Sequence, residues 1–259
     1  MKSNFLRPVS LLVAVLILVS LACSAVIAAP TATPVPPSPT QPPTSVPTDT
    51  PQPTATLEPT ATPDIAATQQ MESLQAEVQS YYDKGYLNTT DGRFIQQENF
   101  KEEWAQIGWY QWWTLDQQAS DFFMSAHFKW STALQTSDVS GCGFVFAIQD
   151  NDDHYAVFLD KSRILFLYSK QAFKGAREVG KTRGTGRVSF GNPAEADFTL
   201  IVKDASAYVL VNNDMIGQYS LSKDAPLQGS LGLTLLSGTN RDYGTRCEMT
   251  DLHLWIPNN

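Results

Sequence analysis

The run WAQIGWYQWWT, residues 104–114, holds four tryptophans and a tyrosine. Flat rings of this kind stack on sugar faces, and Gln106, Gln111 and Gln117 stand near enough to hydrogen-bond hydroxyls. The same rings also bury large areas in a core. If 107–114 is extended, Trp109 and Trp113 face one way and Tyr110 and Trp112 the other. A short helical turn over 101–107 would instead group Trp104 with Ile107. Rings on both faces cannot all be exposed. The expectation is that most pack against the domain, while one or two of Trp109, Trp112 and Trp113 line a sugar-stacking groove.

Other chemistry is thinner. Glycoside hydrolysis needs two carboxylates placed across a bond. Glu248 and Asp251 fall on opposite sides of a regular strand, and the adjacent Glu102 and Glu103 point apart. No GxSxG elbow accompanies the three histidines. His127 and His253 share their strand faces with Lys129, Asp251 and Trp255, and form a second candidate binding patch if those strands are neighbours. DNDD (150–153) supplies Asp150, Asp152 and Asp153 as calcium candidates, but without the glycine and distal glutamate of an EF-hand. It reads first as a hairpin turn, and no cofactor is expected. GKTRGTGR (180–187) lacks P-loop spacing.

Charge is unevenly spread. Residues 64–259 carry 16 basic and 24 acidic side chains, a poor match for nucleic acid. Yet residues 161–187 hold eight basic residues against the single acid Glu178. Lys174, Arg177, Lys181 and Arg183 are the candidates there for an anionic partner. The alternative is that they keep exposed strand edges from pairing.

The elements that must position these residues follow from periodicity. Asp64 can cap a helix to about Lys84, stopped by Gly85, with Ile65, Met71, Leu74, Val78 and Tyr81 or Tyr82 on one face. In DFFMSAHFKW (121–130), Phe122, Met124, Ala126, Phe128 and Trp130 take one face. Short strands follow at 143–150, 154–160, 163–168, 187–190, 197–204, 207–213, 215–221, 230–236 and 247–256, separated by turn residues. Many short strands with little helix predict an all-β, two-sheet antiparallel jelly-roll sandwich carrying one N-terminal helix.

DFFMSAHFKW, GCGFVFAIQDNDDHYAVFLD, DFTLIVKDASAYVLVNNDMIGQY, SLGLTLLSG and TRCEMTDLHLWIP, in that order, resemble the concanavalin A-like lectin/glucanase superfamily. The resemblance is greatest to its laminin G-like and 3-keto-disaccharide hydrolase-like jelly rolls. It implies a sandwich with a concave face that often binds carbohydrate or protein. The acidic Glu-x-Asp-x-(x)-Glu strand of the glucanase members is not found here. The superfamily hosts hydrolases, lectins and adhesion modules, so fold does not fix function.

The N-terminus suggests an address. Lys2 and Arg7 precede the apolar run VSLLVAVLILVSLAC, a secretory-signal pattern. Its ending resembles a lipobox, which would lipidate Cys23; cleavage within SAVIAA would instead release the protein. Residues 1–23 are thus assigned to a lipoprotein-type signal, 24–63 to a disordered stalk, 64–85 to the helix and 86–259 to the sandwich. Residues 30–63 hold 12 prolines and 10 threonines and lack the apolar content for a core. Cys142 and Cys247 remain, either as a disulfide suited to an oxidising compartment or as two buried thiols. The expectation is a monomeric, exported, bilayer-anchored, non-catalytic module for an extracellular glycan or surface protein. A glycoside hydrolase or a structural adhesion protein is the alternative.

Overall fold

The alternation read at 122–130 is the spine of the molecule. The computed structural model describes residues 65–136, 139–161, 163–170, 175–180, 183–185 and 191–258. The signal and stalk segments, Cys23 and the strand expected at 187–190 lie outside the described residues. Helix α1 (Ile65–Asp83) precedes β1 (Gly92–Gln96), β2 (Phe100–Trp104), β3 (Trp109–Ala119) and β4 (Phe122–Thr132). Then come β5 (Gly141–Ile148), β6 (His154–Asp160), β7 (Arg163–Ser169), β8 (Arg177–Glu178) and β9 (Arg183–Gly184). The chain closes with β10 (Ala194–Lys203), β11 (Ser206–Val211), β12 (Asp214–Ser220), β13 (Gly229–Ser237) and β14 (Thr245–Pro257).

The strands form two antiparallel sheets, as the sequence predicts. One runs β1-β14-β4-β10-β11-β12, with β2 also paired to β14; the other runs β3-β13-β5-β6-β7-β8, with β9 on β7. Residues 101–107 form no helical turn. Phe100–Trp104 pairs with β14 instead, because the register Thr245↔Trp104 to Met249↔Phe100 satisfies its backbone groups. β1 and β2 were not read as strands from the sequence.

Phe122, Met124, Ala126, Phe128 and Trp130 do face the interior, where Phe128 lies between Phe144 and Phe198. Each fully buried large apolar side chain contributes about 1.5–3 kcal/mol. A disulfide joins Cys142 on β5 to Cys247 on β14 and so crosslinks the two sheets, with Cα atoms 5.7 Å apart. Closing a loop of 105 residues stabilises by ~4–5 kcal/mol on the chain-entropy view.

The helix lies on the outer side of the first sheet. Leu74, Val78 and Tyr81 are buried there, while Met71, expected on the same face, is 43% exposed. Gly85 adopts φ +75°, and the N–H groups of Gly85 and Tyr86 donate back to the carbonyls of Tyr82 and Tyr81, which closes the helix. Among the described residues no helix is long and apolar enough to cross a membrane.

Candidate functional site

The β1–β2 turn and strand β3 face each other at one side of the sandwich. Phe100 of β2 meets Trp113 of β3 edge to face, with ring centroids 5.1 Å apart, and the two rings form the floor of a cleft with Leu115 and Leu233. Gln96, Gln97, Glu98, Asn99, Thr114, Asp116 and Gln117 complete its lining. The cleft encloses about 530 Å³ and, among the described residues, no basic residue lines it. That volume lies within the ~300–1,000 Å³ of small-molecule sites. An apolar aromatic floor with neutral donors and acceptors on its walls suits a polyhydroxylated ring, whose faces are C–H surface and whose edges are hydroxyls.

The aromatic run divides as its alternation requires. Trp113 points inward and is half-buried, while Tyr110 and Trp112 stand on the other side of β3. There the Tyr110 hydroxyl lies 2.8 Å from His154 Nε2, and the Trp112 ring centroid lies 4.7 Å from that of His154. His154 Nδ1 is 2.7 Å from the Asp152 carbonyl oxygen, so a neutral imidazole donates to the carbonyl and accepts from Tyr110. Burial lowers the His154 pKa, and burial likewise raises that of the Tyr110 hydroxyl. Trp104 is half-buried, which leaves Trp109 as the exposed ring of the run at 44%.

The second predicted patch comes together only in part. β4 and β14 are neighbours, and His127 sits opposite Thr250. A β-bulge between Thr250 and His253, with Asp251 at φ +51°, adds one residue to β14. It resets the alternation, so that Met249, Leu252 and Leu254 all reach the core. Glu248 and Asp251, expected on opposite sides of a regular strand, therefore share the outer side. Asp251 and His127 line one cavity of about 210 Å³ with Glu77 and Asp197. His127 Nδ1 lies 2.8 Å from Asp197, and Lys129 is taken up by Glu195 at 2.7 Å. Lys129 holds the Glu195 carboxyl below its usual range. His253 is half-buried between Gln96 of β1 and Ser125 of β4.

Trp255 does not belong to that patch. It is 2% exposed, stacked on Phe123 at 5.9 Å under α1 with Val78 and Tyr81. Gly92 makes room for it, since a Cβ there would lie 2.4 Å from the indole. The sequence placed Trp255 on the correct side of its strand. The helix then covers that side.

No protein-family model matches the chain, and no curated protein does either. Several solved structures are similar to it at low identity. The carbohydrate-binding module CBM66 from Bacillus subtilis aligns over 62% of this chain and 90% of its own, at 9% identity and TM-score 0.45. Sheep galectin-11, in complex with glycerol, aligns over 57% and 98%, at 12% identity and TM-score 0.39. LamAcat from Zobellia galactanivorans aligns over 54% and 66%, at 8% identity and TM-score 0.38.

The remaining expected sites have mixed outcomes. DNDD forms a turn: the Asp152 N–H donates to the Gln149 carbonyl and the Asp153 N–H to Asn151 Oδ1. Among the described residues no three His, Cys, Asp or Glu side chains gather to hold a metal ion. In the basic segment, Arg163 pairs with the buried Asp160 at 2.9 Å, and Arg177 lies over the Tyr168 ring. Lys174, Lys181 and the Arg183 side chain lie outside the described residues. The sequence reading missed Gln97, Glu98, Asn99 and Phe100. Their signal was the polar run QQEN between Phe94 and Phe100, a turn between two aromatic-bearing strands.

Proposed function

We propose that the protein is a non-catalytic binding module for carbohydrate, and that the Phe100–Trp113 cleft is where the sugar sits. The observation that carries the reading is the pairing of an aromatic floor with Gln97, Asn99 and Gln117, whose side chains make no hydrogen bond recorded among the described residues. Their donors and acceptors remain open to sugar hydroxyls. Binding is preferred to hydrolysis because Glu98 and Asp116 are both exposed. A general acid for glycoside cleavage needs a sheltered carboxyl that keeps its proton near neutral pH.

The same proposal includes export through the N-terminal segment, a lipid at Cys23 and a Pro/Thr stalk that sets the module off the bilayer. Membrane fractions of cells expressing the protein should retain it, and Cys23→Ala should shift it to the soluble fraction. For the binding claim, the purified protein on a glycan array should retain a subset of oligosaccharides, and the Gln97→Ala/Gln117→Ala double variant should lose them. An array with no retained glycan would overturn the reading.

A further inference from the structure

Both charged residues that line the cleft are acidic. Glu98 lies on the turn between β1 and β2, Asp116 lies on β3, and neither forms an ion pair among the described residues. The neighbouring cation, Lys101, is occupied by Glu248 at 2.7 Å. The described strands of the basic segment do not adjoin the cleft. These strands, β7, β8 and β9, lie at the far edge of the second sheet, with β13, β5 and β6 between them and β3. Among the described residues, the lining of the Phe100–Trp113 cleft thus carries two acidic residues and no basic one.

From this we infer that Glu98 and Asp116 are specificity-determining residues: they select glycans without carboxylate or sulfate groups and reject acidic ones. The inference rests on the carbohydrate reading of the same cleft, and it runs against the acidic-polymer partner that the charge of residues 161–187 suggests. The physical cause is simple. A uronate placed on the floor would be repelled by both carboxylates, and a neutral hydroxymethyl group at the same position would not. The carboxylates themselves accept hydrogen bonds from neutral hydroxyls, so they do not weaken neutral binding.

The test uses array-immobilised neutral and uronic-acid oligosaccharides, read at about 20 mM and 500 mM salt. Wild-type protein should bind neutral oligosaccharides and discriminate against uronic-acid oligosaccharides. Glu98→Gln/Asp116→Asn should raise the ratio of uronic-acid to neutral binding at least about 5-fold at low salt. High salt should shrink that gain, because it screens the repulsion in the wild type. Both residues are exposed, and an unchanged melting temperature checks that the variant folds. Wild-type binding of uronic-acid probes as tight as neutral ones, lost in Gln97→Ala/Gln117→Ala, overturns the selectivity and leaves carbohydrate binding standing. Rejection of acidic probes that the double substitution does not relieve overturns the assignment to Glu98 and Asp116. No binding to any glycan overturns the carbohydrate reading itself.

Discussion

Phe100 and Trp113 lie on different sheets and meet edge to face at 69° between their planes. One contact thereby closes the side of the sandwich and lays the floor of the cleft. Trp113 is half-buried for the same reason: its ring packs on the core and one side stays open. Stability and binding are coupled at this ring and separable around it. Trp113→Ala should lower stability by about 2–4 kcal/mol and abolish glycan binding. Gln97→Ala/Gln117→Ala should weaken binding about 10-fold or more with no change in melting temperature. Paired urea denaturation and glycan titration check both.

Trp255 should behave in the opposite way. Its indole is stacked on Phe123 beneath α1, on another face from the cleft-lining rings. Trp255→Ala should cost about 3–5 kcal/mol in urea denaturation and leave glycan affinity unchanged. A variant that lost binding while keeping its stability would show that Trp255 reaches the ligand.

The inter-sheet disulfide makes a third case. Thiol titration of the denatured, unreduced protein should find no free thiol from Cys142 or Cys247. The Cys142→Ala/Cys247→Ala variant should lose about 2–5 kcal/mol, since the closed loop no longer restrains the unfolded chain.

Acid should destabilise the protein through His154. Burial lowers its folded pKa below the unfolded value, so the folded state binds fewer protons between the two. Its contribution is therefore fully present above about pH 6.5 and is lost as pH falls from there through the folded pKa. His154→Gln should start from lower stability at pH 8, because the contact with Tyr110 is altered. It should also show a shallower decline between pH 7 and 5. Chemical denaturation at several pH values measures the slope.

Much of the sandwich was legible because strand alternation is a local property. Phe122 through Trp130 declared their inward face by spacing alone, and the hairpin turns at DNDD and NND were marked by residue type. Other features depend on distant neighbours. Pairing to β14 makes 100–104 a strand, and its own residues alternate too weakly to announce it. The bulge at Asp251 shifts parity by one residue, which no period-two count can anticipate. Trp255 looks like an outward ring until α1 is laid over it. The cleft was half legible: Trp113 and Gln117 came from the aromatic run, whereas Gln97, Glu98 and Asn99 join them only once β1 and β2 are placed.

The most direct test of the central claim is a titration of the purified protein with neutral oligosaccharides, followed by tryptophan fluorescence in wild type and in Trp113→Phe. The account predicts a saturable change in the wild type, strongly reduced in Trp113→Phe, which keeps an aromatic side chain in the core but loses the indole. An undiminished change in Trp113→Phe, or saturation abolished by Trp255→Phe instead, would contradict it.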